Sequence, residues 1–306
     1  MKSKLVCLLG PTAVGKTEIA IQLAQRLNAE IVSVDSRQIY RQMDIGTAKP
    51  TPEEQQTAQH HLIDCVDISQ RFSVADYQSL ADIAIADIQN RGKRMLLVGG
   101  AGLYFRAIVD GLFEGPGAHP TLRKRLEAEA AQHGVDHLHN RLRACDPESA
   151  ERIHPNNVVR VIRALEVYEL TGTPMSELQQ QWHPKKQRYP FIAFGLTMPR
   201  ALLYRRIEQR VDVMLANGLI AEVESLLAMG YARDSVALQS FGYRELIAYL
   251  DGDCTYLEAI SQLKRNTRRF AKRQLTWFRK DTRIDWLDRE STSDIVGAIL
   301  GKIKSV

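Results

Sequence analysis

The first apolar run, Leu5–Leu9, stops at Gly10-Pro11. It is too short for a helix, so it reads as a buried strand. Thr17–Asn28 changes period: Ile19, Ala20, Leu23, Ala24 and Leu27 fall on one face of a helix. Ile31–Asp35 is a second buried strand that ends in a carboxylate. Ser73 with Asp76 three residues on has the form of a reciprocal helix cap and opens a helix to about Arg91. Met95–Val98 is a third strand, closed by Gly99-Gly100. Strand, helix, strand, helix, strand predicts a parallel sheet with helices on its faces.

After Gly111 the pattern changes. Gly115-Pro116-Gly117 punctuates the chain. From His119 to about Gln181 only helical periods occur, as in Leu122–His133 and Val158–Leu170, with Pro174 and Pro184 as breakers. Phe191–Thr197 is strand-like again. Helices follow at about Arg200–Asn217, Ala221–Met229 and Leu257–Arg279, then a last edge strand at Arg283–Leu287. The expected fold class is α/β: a parallel sheet flanked by helices, with a small all-helical insertion domain. Residues 1–115 form the first part of the core, 116–188 the insertion, and 189–306 the return to the core.

Composition narrows the class. The 306 residues are 44% hydrophobic and 25% charged, which suits a globular chain and excludes a disordered one. Four scattered cysteines without a CxxC pair read as intracellular thiols, not zinc ligands. The charged start Met1-Lys2-Ser3-Lys4 is followed by too short an apolar run for a signal peptide. No stretch approaches the roughly 20 apolar residues of a membrane span. The expected location is the cytoplasm. No exposed heptad argues for an oligomer, so a monomer is expected.

The net charge is +5. Lys264, Arg265, Arg268, Arg269, Lys272, Arg273, Arg279 and Lys280 lie in one stretch without an acid. Without those eight, the 41 basic residues no longer outnumber the 36 acidic ones. The surplus sits in one place, either as a solvated helix face or as a surface for polyanions.

Gly10, Pro11, Thr12, Ala13, Val14, Gly15, Lys16 and Thr17 spell GxxxxGK[ST] between a strand and a helix, the context that gives the motif meaning. Such a phosphate loop (P-loop) turns backbone N–H groups toward one point at a helix N-terminus. Lys16 adds a full charge, and the Thr17 hydroxyl suits Mg²⁺ held with the phosphates. The phosphates can belong to ATP, GTP or a diphosphate ester. Asp35, at the neighbouring strand end, suits a water-mediated Mg²⁺ contact, a general base, or a cap for the next turn. Gln38 offers a donor and an acceptor for a base edge, or is a solvated loop amide. Asp44–Pro50 is a Gly/Pro-marked loop nearby. His60-His61 lacks a partner at ligand spacing and reads as structural. Gly99 and Gly100 permit close approach of a ligand, and no acid ends that strand, which counts against ATP hydrolysis.

Together these segments resemble one family, the tRNA dimethylallyltransferases (tRNA isopentenyltransferases). The residues that carry the resemblance are GPTAVGKT at Gly10–Thr17, VDSRQIY at Val34–Tyr40, MDIGTAKP at Met43–Pro50 and VGGAGLY at Val98–Tyr104. HPNNVVRVIRALEVY at His154–Tyr168, GYRE at Gly242–Glu245 and TRRFAKRQLTWFR at Thr267–Arg279 complete it. The resemblance implies transfer of a dimethylallyl group from dimethylallyl diphosphate to N6 of adenosine-37, in tRNAs that read codons beginning with U. It implies that the P-loop holds the donor diphosphate with Mg²⁺ and that no ATP is consumed, although such loops are commonly labelled ATP-binding. It casts Asp35 as the base at N6, and Asp35, Ser36, Arg37 and Gln38 as tRNA contacts. Val159, Arg160, Val161, Ile162 and Arg163 are further expected contacts, as are Gln239, Ser240, Phe241, Gly242, Tyr243 and Arg244. Arg123 and the insertion are expected to grip the anticodon stem-loop.

One position departs from the family. Its usual GGT is Gly99-Gly100-Ala101 here, so the hydroxyl expected where donor, acceptor and diphosphate meet is missing. Either a water replaces that hydrogen bond or turnover is slow. A small-molecule P-loop kinase and an RNA-binding regulator with a vestigial loop are the competing readings of the residues alone.

Overall fold

The computed structural model describes residues 4–113, 115–180 and 187–305; Met1-Lys2-Ser3 and the expected breaker Pro184 lie outside the described residues. The chain forms two compact units, Met1–Val109 with Arg188–Val306, and Asp110–Gln187. The first unit opens with β1 (Leu5–Leu9), α1 (Lys16–Leu27), β2 (Ala29–Val34), α2 (Pro52–Thr57) and β3 (His60–His61). Next come α3 (Val74–Asn90), β4 (Arg94–Gly99) and α4 (Gly102–Val109). The second unit holds α5 (Pro120–His133), α6 (Val135–Cys145), α7 (Pro147–Arg152), α8 (Val158–Thr171) and α9 (Met175–Gln180). The first resumes with β5 (Phe191–Thr197), α10 (Arg200–Ala216), α11 (Leu219–Ala228) and α12 (Tyr243–Leu250). It ends with α13 (Tyr256–Phe278), β6 (Ile284–Asp288) and α14 (Ile295–Lys304).

The strands pair in parallel in the order β3-β2-β4-β1-β5-β6. β1 explains the layering. Leu5, Cys7 and Leu9 enter one apolar cluster, Val6 and Leu8 the other. Both faces of the strand are covered, so its sequence is an unbroken apolar run and not an alternating one. α3, α4, α11 and α12 cover the first face, and α1 and α14 the second. α10 and α13 feed both, with Val211, Leu263 and Phe278 on one side and Leu203, Ile207 and Ala271 on the other.

β1 and β5 have the expected bounds, and Ser73 and Asp76 form the expected reciprocal cap of α3. The strand expected third is fourth in the chain, because His60–His61 intervenes as a two-residue edge strand. Its role is structural: His61 Nε2 lies 2.7 Å from the Glu30 carboxylate, which Arg91 and Lys93 also meet. α2, α4, α12 and α14 were not expected. Each has ten residues or fewer, too short to declare a period. All four cysteines are free. Among the described residues, no helix is long and apolar enough to cross a membrane.

The second unit is helical with its own core, including Leu126, Leu138, Leu142, Val161 and Leu165. A wholly buried carboxylate, Glu166 on α8, ties it together. It accepts the His119 N–H at 2.7 Å, two bonds from Arg123 at 2.8 Å and one from Arg163 at 2.5 Å. Burial works to raise its pKa, but those donors outweigh it and hold it at about 2. A carboxylate lowered on folding stabilises fully above its unfolded pKa of roughly 4.3 and loses that contribution as pH falls toward the folded value. Glu166→Gln is expected to destabilise the helical unit by about 2–3 kcal/mol at pH 7. The gap between the two proteins should close between pH 4 and 2, as read by hydrogen exchange in α5 and α8. A gap constant across that range would rule out the charge as its source.

Candidate active site

The C-terminal ends of parallel strands share one edge, where ligands bind in open α/β sheets. β1 delivers the P-loop to it, β2 Asp35, β4 Gly100 and Ala101, and β6 Arg289. In the P-loop Ala13 and Gly15 adopt left-handed backbone (φ 64° and 92°) before α1 begins at Lys16. This turns the amides of Ala13, Val14, Gly15, Lys16 and Thr17 to where they meet no protein acceptor among the described residues. Their carbonyls point the other way and are all claimed. Arg206 Nε donates to Ala13 O at 2.9 Å. Arg289 Nη1 donates to Val14 O and Gly15 O at 3.1 and 2.9 Å. Lys16 Nζ donates to Gly10 O and Pro11 O at 3.0 and 2.8 Å.

Positive charge gathers here. Burial, then Arg210, lower the Lys16 pKa to about 7, while Asp35 opposes them. Burial, then Arg206, lower that of Arg210, with Glu54 opposing. Arg210 makes no hydrogen bond or ion pair among the described residues. Five unpartnered amides with Lys16, Arg206 and Arg210 make an anion site. Arg206 and Arg210 were missed in the sequence, although their spacing of four places both on one face of α10. Arg289 carries no such signal; its partners, the Val14 and Gly15 carbonyls and the Glu18 carboxylate, lie far away in the chain.

Asp35 caps the next turn with one oxygen. Its Oδ1 accepts the N–H groups of Arg37 and Gln38 at 2.8 and 3.3 Å, leaving Oδ2 without a protein partner among the described residues. Gln38 is neither a solvated amide nor a free base reader. Its Oε1 accepts from Ser33 Oγ at 3.2 Å, and its Nε2 donates to Ala48 O at 3.0 Å. Arg37 is anchored on Val236 O at 2.8 Å. The Asp44–Pro50 loop is held by Glu222, which accepts the amides of Asp44, Ile45 and Gly46 and the Tyr243 hydroxyl at 2.6 Å.

The space left by the glycines at the end of β4 and the start of α4 is taken up by the protein itself. A Cβ on Gly99 would strike the Val34 backbone, one on Gly100 the Gln274 amide, and one on Gly102 the Trp277 ring. Ala101 directly precedes α4, donating to Val34 O and accepting from Phe105 N–H, both at 3.0 Å.

In the Gln239–Arg244 stretch, Ser240 and Tyr243 are buried, Gln239 is bonded to Arg233 O, and Gly242 N–H donates to Glu245. Gln239 is exposed, and Phe241 and Arg244 are half-buried. The Arg244 guanidinium lies 4.7 Å over the Phe241 ring, and Arg273 of α13 lies 5.7 Å from it. α13 is less uniformly basic in space than in sequence, because Lys264 and Arg268 pair with Asp212 and Glu208 of α10. Arg269, Lys272, Arg273, Arg279 and Lys280 stay exposed. In the second unit Arg123 and Arg163 are turned onto Glu166, Val161 and Ile162 are core, and Val159 and Arg160 face outward.

Residues 38–281 match the sequence profile of the IPP transferase family. The chain belongs to this family. It is 48% identical to a tRNA dimethylallyltransferase of Geobacter metallireducens, over 98% of this chain and 97% of that protein. It is 53% identical to one of Symbiobacterium thermophilum, over 94% and 90% of the two. Among solved structures it is similar to the tRNA isopentenylpyrophosphate transferase of Bacillus halodurans, with TM-score 0.74, 47% identity, and 99% and 98% of the chains covered. It also matches a eukaryotic dimethylallyltransferase acting on tRNA, with TM-score 0.80 and 28% identity, over 98% of this chain and 78% of that one. This IPP transferase thus has a complete P-loop whose charge sits next to a carboxylate.

That charge makes binding pH-dependent. With Lys16 at about 7, a diphosphate within reach favours its charged form, so binding above pH 7 takes up a proton. The affinity for an alkyl diphosphate, whose own last proton leaves near pH 6 or so, should fall about tenfold per pH unit above 7. Lys16→Arg keeps its charge throughout and should lose that slope. A wild-type affinity that is flat from pH 7 to 9, by titration without RNA, would contradict the assignment.

Proposed function

We propose that the chain transfers the dimethylallyl group of dimethylallyl diphosphate to N6 of adenosine-37, in the anticodon loop of cytoplasmic tRNAs that read codons beginning with U. The observation that carries this reading is the pairing of an anion site with a carboxylate oxygen that has no protein partner. The P-loop amides, Lys16, Arg206 and Arg210 stand on one side, and Asp35 Oδ2 on the other, in a chain whose relatives bear the transferase name.

Each group has one task. The exocyclic amine of adenine is a weak nucleophile and keeps its proton until attack. As N6 bonds to C1 of the allyl group, the C1–O bond breaks, its electron pair leaves with the diphosphate, and Asp35 Oδ2 takes the N6 proton. Negative charge grows on the diphosphate, where Lys16, Arg206, Arg210 and the loop amides are aimed. The Thr17 hydroxyl, also without a protein partner among the described residues, fits Mg²⁺ bound with the diphosphate, which supplies further positive charge when present. The exposed cations of α13 suit an RNA backbone, and so does Arg160 of the second unit. The helical unit grips the anticodon arm. A kinase would use the same loop for ATP, but β4 ends in Gly99-Gly100-Ala101 and offers no carboxylate to its metal.

The test is one incubation with Mg²⁺, labelled dimethylallyl diphosphate and an anticodon stem-loop bearing adenosine-37. Label on the RNA is expected; ATP-dependent phosphorylation of a metabolite, or binding without transfer, overturns the reading. Asp35→Asn keeps an oxygen for the Arg37 and Gln38 amides while removing the base. It should retain donor affinity and lose transfer by about 10² or more. Transfer at the wild-type rate would remove Asp35 from that role. RNA affinity should drop steeply with added salt, and a flat salt response would count against the α13 surface.

Ala101→Thr tests the missing hydroxyl. A threonine at the residue before α4 also caps that helix, so stability should rise by up to about 1 kcal/mol whatever happens to catalysis. Faster turnover is expected on top of it. Equal kcat/KM for both proteins would show that the hydroxyl contributes nothing here.

A further inference from the structure

The inward stripe of α13 runs Ala259, Leu263, Ala271, Gln274, Phe278. Four are apolar. Gln274 is the exception, at 6% exposure, among exposed Lys272, Arg273 and Trp277. A buried amide is costly unless both ends are bonded. Here both are, and both partners are backbone atoms of the site. Gln274 Oε1 accepts the Thr12 N–H of the P-loop at 2.9 Å, and Nε2 donates to Gly100 O, after β4, at 3.0 Å. The amide fills the space a Cβ at Gly100 would take, with Nε2 only 2.1 Å from that position.

Thr12 lies just before the five amides that meet no protein acceptor, and Gly100 just before Ala101. One side chain thus fixes the spacing between the donor loop and the turn where the transferred group must pass. We infer that Gln274 is a positioning residue of the donor site, holding the P-loop and the Gly100–Ala101 turn in register for the diphosphate of the allyl donor. This rests on the transfer reading above. Gln274 makes no contact with the reacting atoms. It acts through Thr12 and Gly100, from the inner side of a helix whose outer side carries the exposed cations.

The two ends of the amide can be tested separately. Gln274→Leu removes both bonds. Its Kd and KM for dimethylallyl diphosphate should rise by about tenfold or more, while its Kd for the stem-loop stays within about twofold of wild type. Gln274→Glu keeps an acceptor for Thr12 N–H, but turns a carboxylate oxygen toward Gly100 O. Those two oxygens repel unless the carboxyl is protonated. Its deficit relative to wild type should therefore be largest at pH 8 and shrink toward pH 6. Donor affinity and kcat/KM equal to wild type in Gln274→Leu would overturn the inference. So would a Gln274→Glu deficit independent of pH, or equal losses of donor and stem-loop affinity. Should Gln274→Leu fail to fold, the pH series on Gln274→Glu decides alone. Wild-type protein that places no label on RNA refutes the transfer reading instead, while labelled RNA with wild-type-like variants refutes only the role of Gln274.

Discussion

A loop that turns its N–H groups inward must turn its carbonyls outward, and buried carbonyls need donors. Most of the first unit's architecture around the site follows from that constraint. Gly10, Pro11, Ala13, Val14 and Gly15 all present oxygens away from the anion site, and no sheet or helix is placed to satisfy them. Two donors come from far along the chain, Arg206 on α10 and Arg289 after β6, and the third, Lys16, folds back over its own loop. These cations satisfy the carbonyls and bring positive charge to the loop. The loop is therefore not a self-contained motif. It holds its shape because two segments nearly two hundred or more residues away reach back to it.

The same arrangement sets the electrostatics. Burial first, and Arg210 second, weaken the Lys16 charge near neutral pH, while burial and Arg206 do the same to Arg210. An anion held there would relieve the repulsion between these cations, which is what the proposed diphosphate supplies. The larger basic stretch on α13 works differently. Two of its cations are neutralised by α10, and most of the others stand in solvent, where salt screens them. A sum over the sequence merges these two populations. In space, the few half-buried cations suit the chemistry and the many exposed ones suit a polyanion's backbone.

What was legible in the sequence is what local pattern encodes. β1 and β5 are apolar runs bounded by Gly or Pro. The P-loop is a contiguous string, and the α3 cap needs only Ser73 and Asp76. What was hidden is long-range pairing to backbone atoms. Gln274, Arg289 and Arg206 reach backbone atoms far away in the chain, and neither the Arg289–Glu18 pair nor the Arg206–Arg210 spacing tells from the string that the loop is their target. Gly99, Gly100 and Gly102 were visible as glycines, but their purpose was not. The space they leave is taken by Val34 of β2 and by Gln274 and Trp277 of α13, the helix whose Gln274 accepts the Thr12 N–H of the loop.

Asp35 shows why competing readings of one residue need not exclude each other. A cap and a base seemed alternatives because each uses the carboxylate. A carboxylate has two oxygens, and the turn at Arg37 and Gln38 consumes only Oδ1. The cap fixes the side-chain torsions, and by doing so it fixes where Oδ2 points. That is the geometric requirement on a base that must act during attack, when a misplaced acceptor is of no use. In the proposed transfer, the bond that looks structural is then a condition for the chemistry, and the same logic joins Gln38 to the site. Bonded to Ser33 and Ala48, it belongs to the turn whose amides hold Asp35.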